Sequence, residues 1–201
     1  MKLYKHRTNT LNEIKKSSLN PKYGFECDIR YHNGEPYLNH ELDKSNQKRT
    51  YLKDLISYTN GIDVILNFKE TGHELFTYEK YKNKFKTILM LDIPFPEFVK
   101  AKEKGIGDSL MWRVSEYEKP KIDTINHFNS KWIWLDSFSK YWFDINELKE
   151  YKQAGLNICL VSNELQSRPI NKDKDLIIKL LHNKLIDAIC TKDIIFYSNM
   201  D

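Results

Sequence analysis

Glu26 and Asp28 stand two apart in the run FECDI. In a strand that spacing aims both carboxylates at one face. Two carboxylates held together inside a protein repel each other and resist burial unless a cation neutralises them. Oxygen donors suit a hard divalent ion, Mg²⁺ or Ca²⁺. Asn67 and Lys69 share a face of another apolar run, DVILNFK, where Lys69 adds a fixed positive charge. His6-Arg7 closes the first such run. His40 follows Asn33-Gly34, a hairpin signal that sends the chain back along the Glu26 strand. A strict two-residue hairpin pairs His40 with Cys27, and the direction of its ring depends on whether a bulge intervenes. Two histidines, an arginine, a lysine and a cation-binding carboxylate pair suit one task. They can grip a phosphodiester, neutralise its charge and move protons on either side of phosphorus.

Such a site needs elements that bring distant residues to one place. Eight short runs rich in Ile, Val, Leu and aromatics recur: 2–7, 24–31, 63–69, 86–93, 109–115, 131–138, 157–162 and 188–191. Between them lie stretches with helical spacing. Leu52, Leu55 and Ile56 fall on one face, as do Leu176, Ile177, Leu180 and Leu181. Asp144 and Gly155 read as the start and stop signals of a further helix. Eight β/α units across residues 1–201 predict an α/β chain of one domain, a compact (β/α)8 TIM-type barrel, with an open doubly wound sheet as the alternative. In such a barrel, working residues gather where the strands end. The strand ends offer His6, Arg7, Asp28, Lys69, Asp92, Arg113, Asp136, Glu164 and Arg168. Glu164 and Arg168 read as a surface ion pair beside a helix cap.

The composition narrows the function. A net charge of +4 is spread among interleaved acids, unlike the basic face of a nucleic-acid binder. No apolar stretch approaches the ~18 residues of a membrane span, and the N-terminus has no secretory pattern. The three cysteines, Cys27, Cys159 and Cys190, sit singly in apolar runs and read as buried free thiols of a reducing compartment. A cytoplasmic protein is expected.

These motifs resemble the glycerophosphodiester phosphodiesterase family, within the phosphatidylinositol phospholipase C-like barrels. His6-Arg7 followed by Asn9-Thr10 is similar to the family's opening motif. Glu26-Cys27-Asp28 is similar to its Glu-x-Asp strand, His40-Glu41 to its His-Asp hairpin end, and Asn67-Phe68-Lys69 to its Glu-x-Lys strand. The order holds along nearly the whole chain. Three departures stand out. Only Thr8 separates His6-Arg7 from Asn9-Thr10, Glu41 replaces an aspartate, and Asn67 replaces the third metal carboxylate. The large insertion that often follows the second strand is also missing.

The resemblance implies a metal-dependent phosphodiester hydrolase acting on a small phosphodiester. Glu26, Asp28 and Asn67 would hold the metal ion, Mg²⁺ or Ca²⁺, with Asp92 as the nearby carboxylate available to replace the lost charge. His6 and His40 would exchange protons, and Arg7 and Lys69 would bind the phosphate. Trp134 would either wall the leaving group or fill the barrel core. Two other readings remain open here: a non-catalytic barrel that binds a phosphorylated ligand or a protein partner, and a phosphodiester lyase or transferase acting on surface polysaccharide.

Overall fold

The computed structural model describes residues 1–18, 20, 22–42, 48–59 and 61–200. Among them the chain runs β1 (Lys2–Lys5), α1 (Leu11–Ser18), β2 (Tyr23–His32), β3 (Glu35–Leu38), β4 (Asp63–Phe68), α2 (Glu74–Tyr81), β5 (Thr87–Leu91) and α3 (Phe95–Glu103). It continues with β6 (Met111–Val114), α4 (Ile122–His127), β7 (Trp132–Leu135), α5 (Ile145–Gln153), β8 (Asn157–Val161), α6 (Lys174–His182), β9 (Ala188–Thr191) and α7 (Ile194–Ser198). The eight runs read from the sequence are β1, β2 and β4 to β9. All eight are parallel, in the order β5-β4-β2-β1-β9-β8-β7-β6. A lone parallel bridge from Met90 to Leu110 joins the two ends. The architecture is a nearly closed (β/α)8 barrel, as expected.

Side-chain alternation divides the strands into two layers. Leu3, Phe25, Val64, Met90, Ile133 and Leu160 face outward into one apolar layer under the helices. Tyr4, Ile65, Leu89, Met111, Trp134, Cys159 and Cys190 face inward and fill the barrel. Gly24 makes room for this filling, since a Cβ there would lie 2.6 Å from the Tyr4 ring and 2.7 Å from the Asp63 carbonyl. The inward parity that carries Tyr4, Ile65, Met111 and Trp134 also carries His6, Asn67, Arg113 and Asp136. The apolar plug therefore ends in polar groups at the C-terminal rim.

The caps follow the sequence signals. Asp144 accepts from the backbone N–H groups of Asn146 and Glu147, and Gly155 takes a positive φ of 78° after α5. Thr10 and Glu13 form a capping box on α1: Glu13 N–H donates to Thr10 Oγ1, and Glu13 Oε2 accepts from Thr10 N–H. Residues 52–58 differ from the expected α-helix and form a 3₁₀ turn. Three residues per turn stack Leu52 over Leu55, both buried, and leave Ile56 at the margin.

Candidate active site

The hairpin brings His40 to the rim. Asn33 and Gly34 both take positive φ, 51° and 76°, as a type I′ turn requires. The ladder pairs Ile29 with Leu38 and continues through Asn39 N–H donating to the Asp28 carbonyl at 3.1 Å. The chain then leaves the ladder. The His40 carbonyl accepts from Arg30 Nη2 at 2.9 Å, and the ring turns inward to meet Arg7 Nη2 at 2.6 Å. Glu41 Oε1 lies 2.6 Å from the other ring nitrogen, Nδ1.

The short first loop turns sharply. Arg7 sits at φ 49°, a left-handed conformation uncommon outside glycine. The turn aims the Arg7 N–H at Glu26 Oε2, 2.8 Å away, and the Thr8 N–H at the Glu26 carbonyl, also 2.8 Å away. Asn9 then grips Asp28 twice. Its Nδ2 donates to Asp28 Oδ2 at 2.8 Å, and its Oδ1 accepts the Asp28 N–H at 2.9 Å.

Glu26 and Asp28 are buried side by side. Burial, and then the neighbouring Asp28 charge, push the Glu26 carboxyl up to about 7, against the opposing pull of the Arg7 N–H, Asn67 and Lys69. Asn67 lies opposite Asp28 in the parallel register. Its Nδ2 donates to Glu26 Oε1 at 3.0 Å, and its Oδ1 accepts from Lys69 Nζ at 2.8 Å. Lys69 Nζ also lies 3.4 Å from Asp28 Oδ1, outside hydrogen-bonding geometry, so that buried oxygen accepts no hydrogen bond. His6 Nε2 stands 3.8 Å from Glu26 Oε2. Burial first, then the charges of Arg7, Lys192, Lys69 and His40, lower the His6 pKa to about 3 and hold the ring neutral.

The far wall carries a network outside the sequence-derived site. Arg113 forks onto Asp92, Nε to Oδ1 at 2.9 Å and Nη2 to Oδ2 at 2.7 Å, and its Nη1 donates to Asp136. Asp136 also accepts from Gln166 Nε2 at 2.9 Å and from the Ser137 N–H at 2.8 Å. Asp92 thus has cations on both sides, with Lys69 3.7 Å away, on the wall of the cavity that Asp28 also lines. Glu164 and Arg168 do not pair with each other. Glu164 accepts from Thr191 Oγ1, Lys192 N–H and Ser162 Oγ, while Arg168 donates to Asn163 Oδ1 and the Ser137 carbonyl. Arg113 and Asp136 were legible as inward-parity residues at strand ends. Asn9 sits in a loop and carried no periodic signal.

These groups surround a cavity of about 360 Å³. His6, Arg7, Asp28, His40, Asn67 and Lys69 line one side, and Trp134 and Phe138 line the other. Trp134 is both a barrel-filling residue and part of the cavity wall.

Among the described residues, no three His, Cys, Asp or Glu side chains converge as a complete metal shell. The charges nonetheless fit a cation. Asp28 lies beside Arg7 and Lys69, Arg113 pairs with Asp92 and Asp136, and Glu26 accepts from the Arg7 backbone N–H and the Asn67 amide. Asp28 Oδ1, buried and without a hydrogen bond, and the Glu26 carboxylate beside it, which burial and the Asp28 charge disfavour, are the oxygens that a cation would satisfy.

No protein-family model matches the sequence, and no curated protein matches it. Solved structures do match the fold. An Oleispira antarctica phosphodiesterase in complex with the product sn-glycerol-3-phosphate shares 17% identity at a TM-score of 0.68, over 96% of this chain and 93% of that one. A glycerophosphodiester phosphodiesterase from Agrobacterium tumefaciens shares 12% identity at a TM-score of 0.63, over 96% of each chain. A glycerophosphoryl diester phosphodiesterase from Parabacteroides distasonis shares 12% identity at a TM-score of 0.50, over 98% of this chain and 85% of that one. The barrel is of their kind. Among the described residues, no helix is long and apolar enough to cross a membrane.

Proposed function

We propose that the protein hydrolyses small phosphodiesters of the glycerophosphodiester type with the help of a divalent cation, Mg²⁺ or Ca²⁺. One observation carries this reading. The buried Glu26–Asp28 pair, Arg7, Lys69, His6 and His40 meet at the C-terminal rim of a barrel shared with such enzymes. Glu26 and Asp28 would hold the cation, and Asn67, beside Asp28, has a neutral amide oxygen to add. The cation would neutralise charge on the phosphate oxygens.

The chain's own groups do the rest. Arg7 and Lys69 bind non-bridging oxygens, Arg7 through its planar fork. His6 is neutral near pH 7 and accepts the proton of the attacking hydroxyl, which belongs to water or to a neighbouring substrate group. As Arg7 moves onto phosphate, His40 Nε2 is released and takes up a proton from solvent. Glu41 at Nδ1 stabilises that protonated ring. His40 then protonates the leaving oxygen as its bond to phosphorus breaks. The buried thiols support the expected reducing, cytoplasmic setting.

The test is hydrolysis of a glycerophosphodiester panel with Mg²⁺ or Ca²⁺, compared with His6→Ala and His40→Ala. Full activity in both variants would end this assignment of roles. Accumulation of a cyclic phosphate as the final product would favour a lyase instead.

A further inference from the structure

Two loops on the rim carry aromatic rings that fold stability leaves unexplained. Tyr117 follows β6 and Phe138 follows β7, with 79% and 45% of their surfaces exposed. Their ring centroids lie 6.0 Å apart, tilted by 40°. Exposed rings on loops are ordinarily free to move, yet these loops are tied down. Glu116 accepts from the Phe138 N–H at 3.1 Å, the Ser139 N–H at 2.9 Å and Ser139 Oγ at 3.1 Å. Ser115 Oγ accepts from the N–H groups of Tyr117 and Glu118, both at 3.2 Å. Trp142 Nε1 donates to the Asp136 carbonyl at 2.8 Å, with Lys119 Nζ 3.9 Å above its ring. The clamp holds one exposed ring and one half-buried ring in place, which is the arrangement of a preorganised binding surface.

The position of the pair indicates what it binds. Phe138 lines the catalytic cavity beside Trp134, Val161 and Leu165. Across the barrel, the β1, β2 and β4 ends bring charged groups to the cavity, Arg7, Asp28 and Lys69. On the apolar side, Gln166 Nε2 is already committed to Asp136. An apolar group lying against Phe138, Trp134, Val161 and Leu165 would gain contact with the rings and the Trp134 wall, and would leave the Arg113–Asp136–Gln166 hydrogen bonds in place.

We infer that Tyr117 and Phe138 form a shelf, fixed by Glu116, that receives an apolar leaving alcohol, so that the preferred phosphodiester carries an alkyl, acyl or aromatic group on that side. The inference rests on the hydrolase reading for the location of the phosphate. Glu116 is a positioning residue, and the two rings are the contact surface.

The test uses glycerophosphodiesters with methyl, butyl, hexyl and benzyl leaving alcohols. Turnover is measured with the unmodified chain and affinity by calorimetry with His6→Ala. Both are repeated in a Tyr117→Ala/Phe138→Ala background, with circular dichroism to check folding. The expected result is that hexyl and benzyl esters exceed methyl in kcat/KM and in affinity by about tenfold, and that the double substitution brings both ratios close to one. A hexyl preference without a benzyl one assigns the shelf to chains, and the reverse assigns it to rings. Equal values across the series with turnover intact would overturn the shelf and leave the hydrolase reading standing. Chain-dependent affinity without turnover of any ester would keep the shelf and overturn the hydrolase reading.

Discussion

Arg7 Nη2 donates to His40 Nε2 across 2.6 Å. Because a guanidinium has no lone pair to accept with, the imidazole must accept at Nε2. Nδ1 therefore carries the hydrogen, and Glu41 Oε1 receives it at 2.6 Å. The pair links phosphate binding to proton delivery, since drawing Arg7 onto the substrate frees the histidine. His40→Ala is expected to lower kcat by about 10²- to 10⁴-fold. Arg7→Lys, which keeps the charge and loses the fork, should raise KM as well. Steady-state kinetics on both variants checks this, and nitrogen NMR of the free protein at neutral pH should show the Nδ1–H tautomer.

Glu26 and His6 give stability two opposed pH dependences. Glu26, raised to about 7 from 4.5, binds more protons folded than unfolded. Its contribution is full below about 4.5 and is lost as pH rises through about 7. His6, lowered to about 3 from 6.5, contributes above about 6.5 and loses that contribution as pH falls toward about 3. Relative to the unmodified chain, Glu26→Gln should gain about 2–3 kcal/mol more at pH 8 than at pH 5. Mg²⁺ or Ca²⁺ should raise the melting temperature of the unmodified chain more at pH 8 than at pH 5, because protons compete for the same oxygens. Thermal melts at the two pH values, with and without metal, decide both points.

Asn67→Glu places a third carboxylate next to Asp28. Affinity for Mg²⁺ or Ca²⁺ is expected to tighten about tenfold or more, because site charge sets ion affinity. Without metal the variant should lose about 1–3 kcal/mol, since the donor to Glu26 is gone and a further buried charge takes its place. Calorimetric titration and a chemical melt read the two effects. Unchanged metal affinity would remove Asn67 from the ion's surroundings.

Asn9 holds Asp28 through one donor and one acceptor. Asn9→Ala should cost about 1–3 kcal/mol. Asn9→Asp should cost more at neutral pH, because it sets a carboxylate against Asp28 Oδ2 in place of an amide donor. Melting curves at neutral and acid pH separate the two, since protonation should bring the aspartate variant back toward the unmodified chain.

The architecture was legible because parallel strands covered on both faces read as short apolar runs, and β1, β2 and β4 to β9 each fall on one. Period-two alternation was enough to place Glu26 with Asp28 and Asn67 with Lys69. The Asn33-Gly34 turn followed from the positive φ that few residues adopt. Local signals stop there. His40 turns toward Arg7 only after the chain leaves the ladder, and Asn9 meets Asp28 only because the first loop bends at Arg7. Asp92, Arg113 and Asp136 come from three strand ends. Curvature of the sheet toward closure between β5 and β6 gathers them, and their mutual charges pair Arg113 with Asp92 and Asp136. Residue type and spacing determined which groups point into the barrel, because strand alternation is local. Closure of the barrel and the turning of its loops decided which of those groups touch, because such contacts depend on chain segments far apart in sequence.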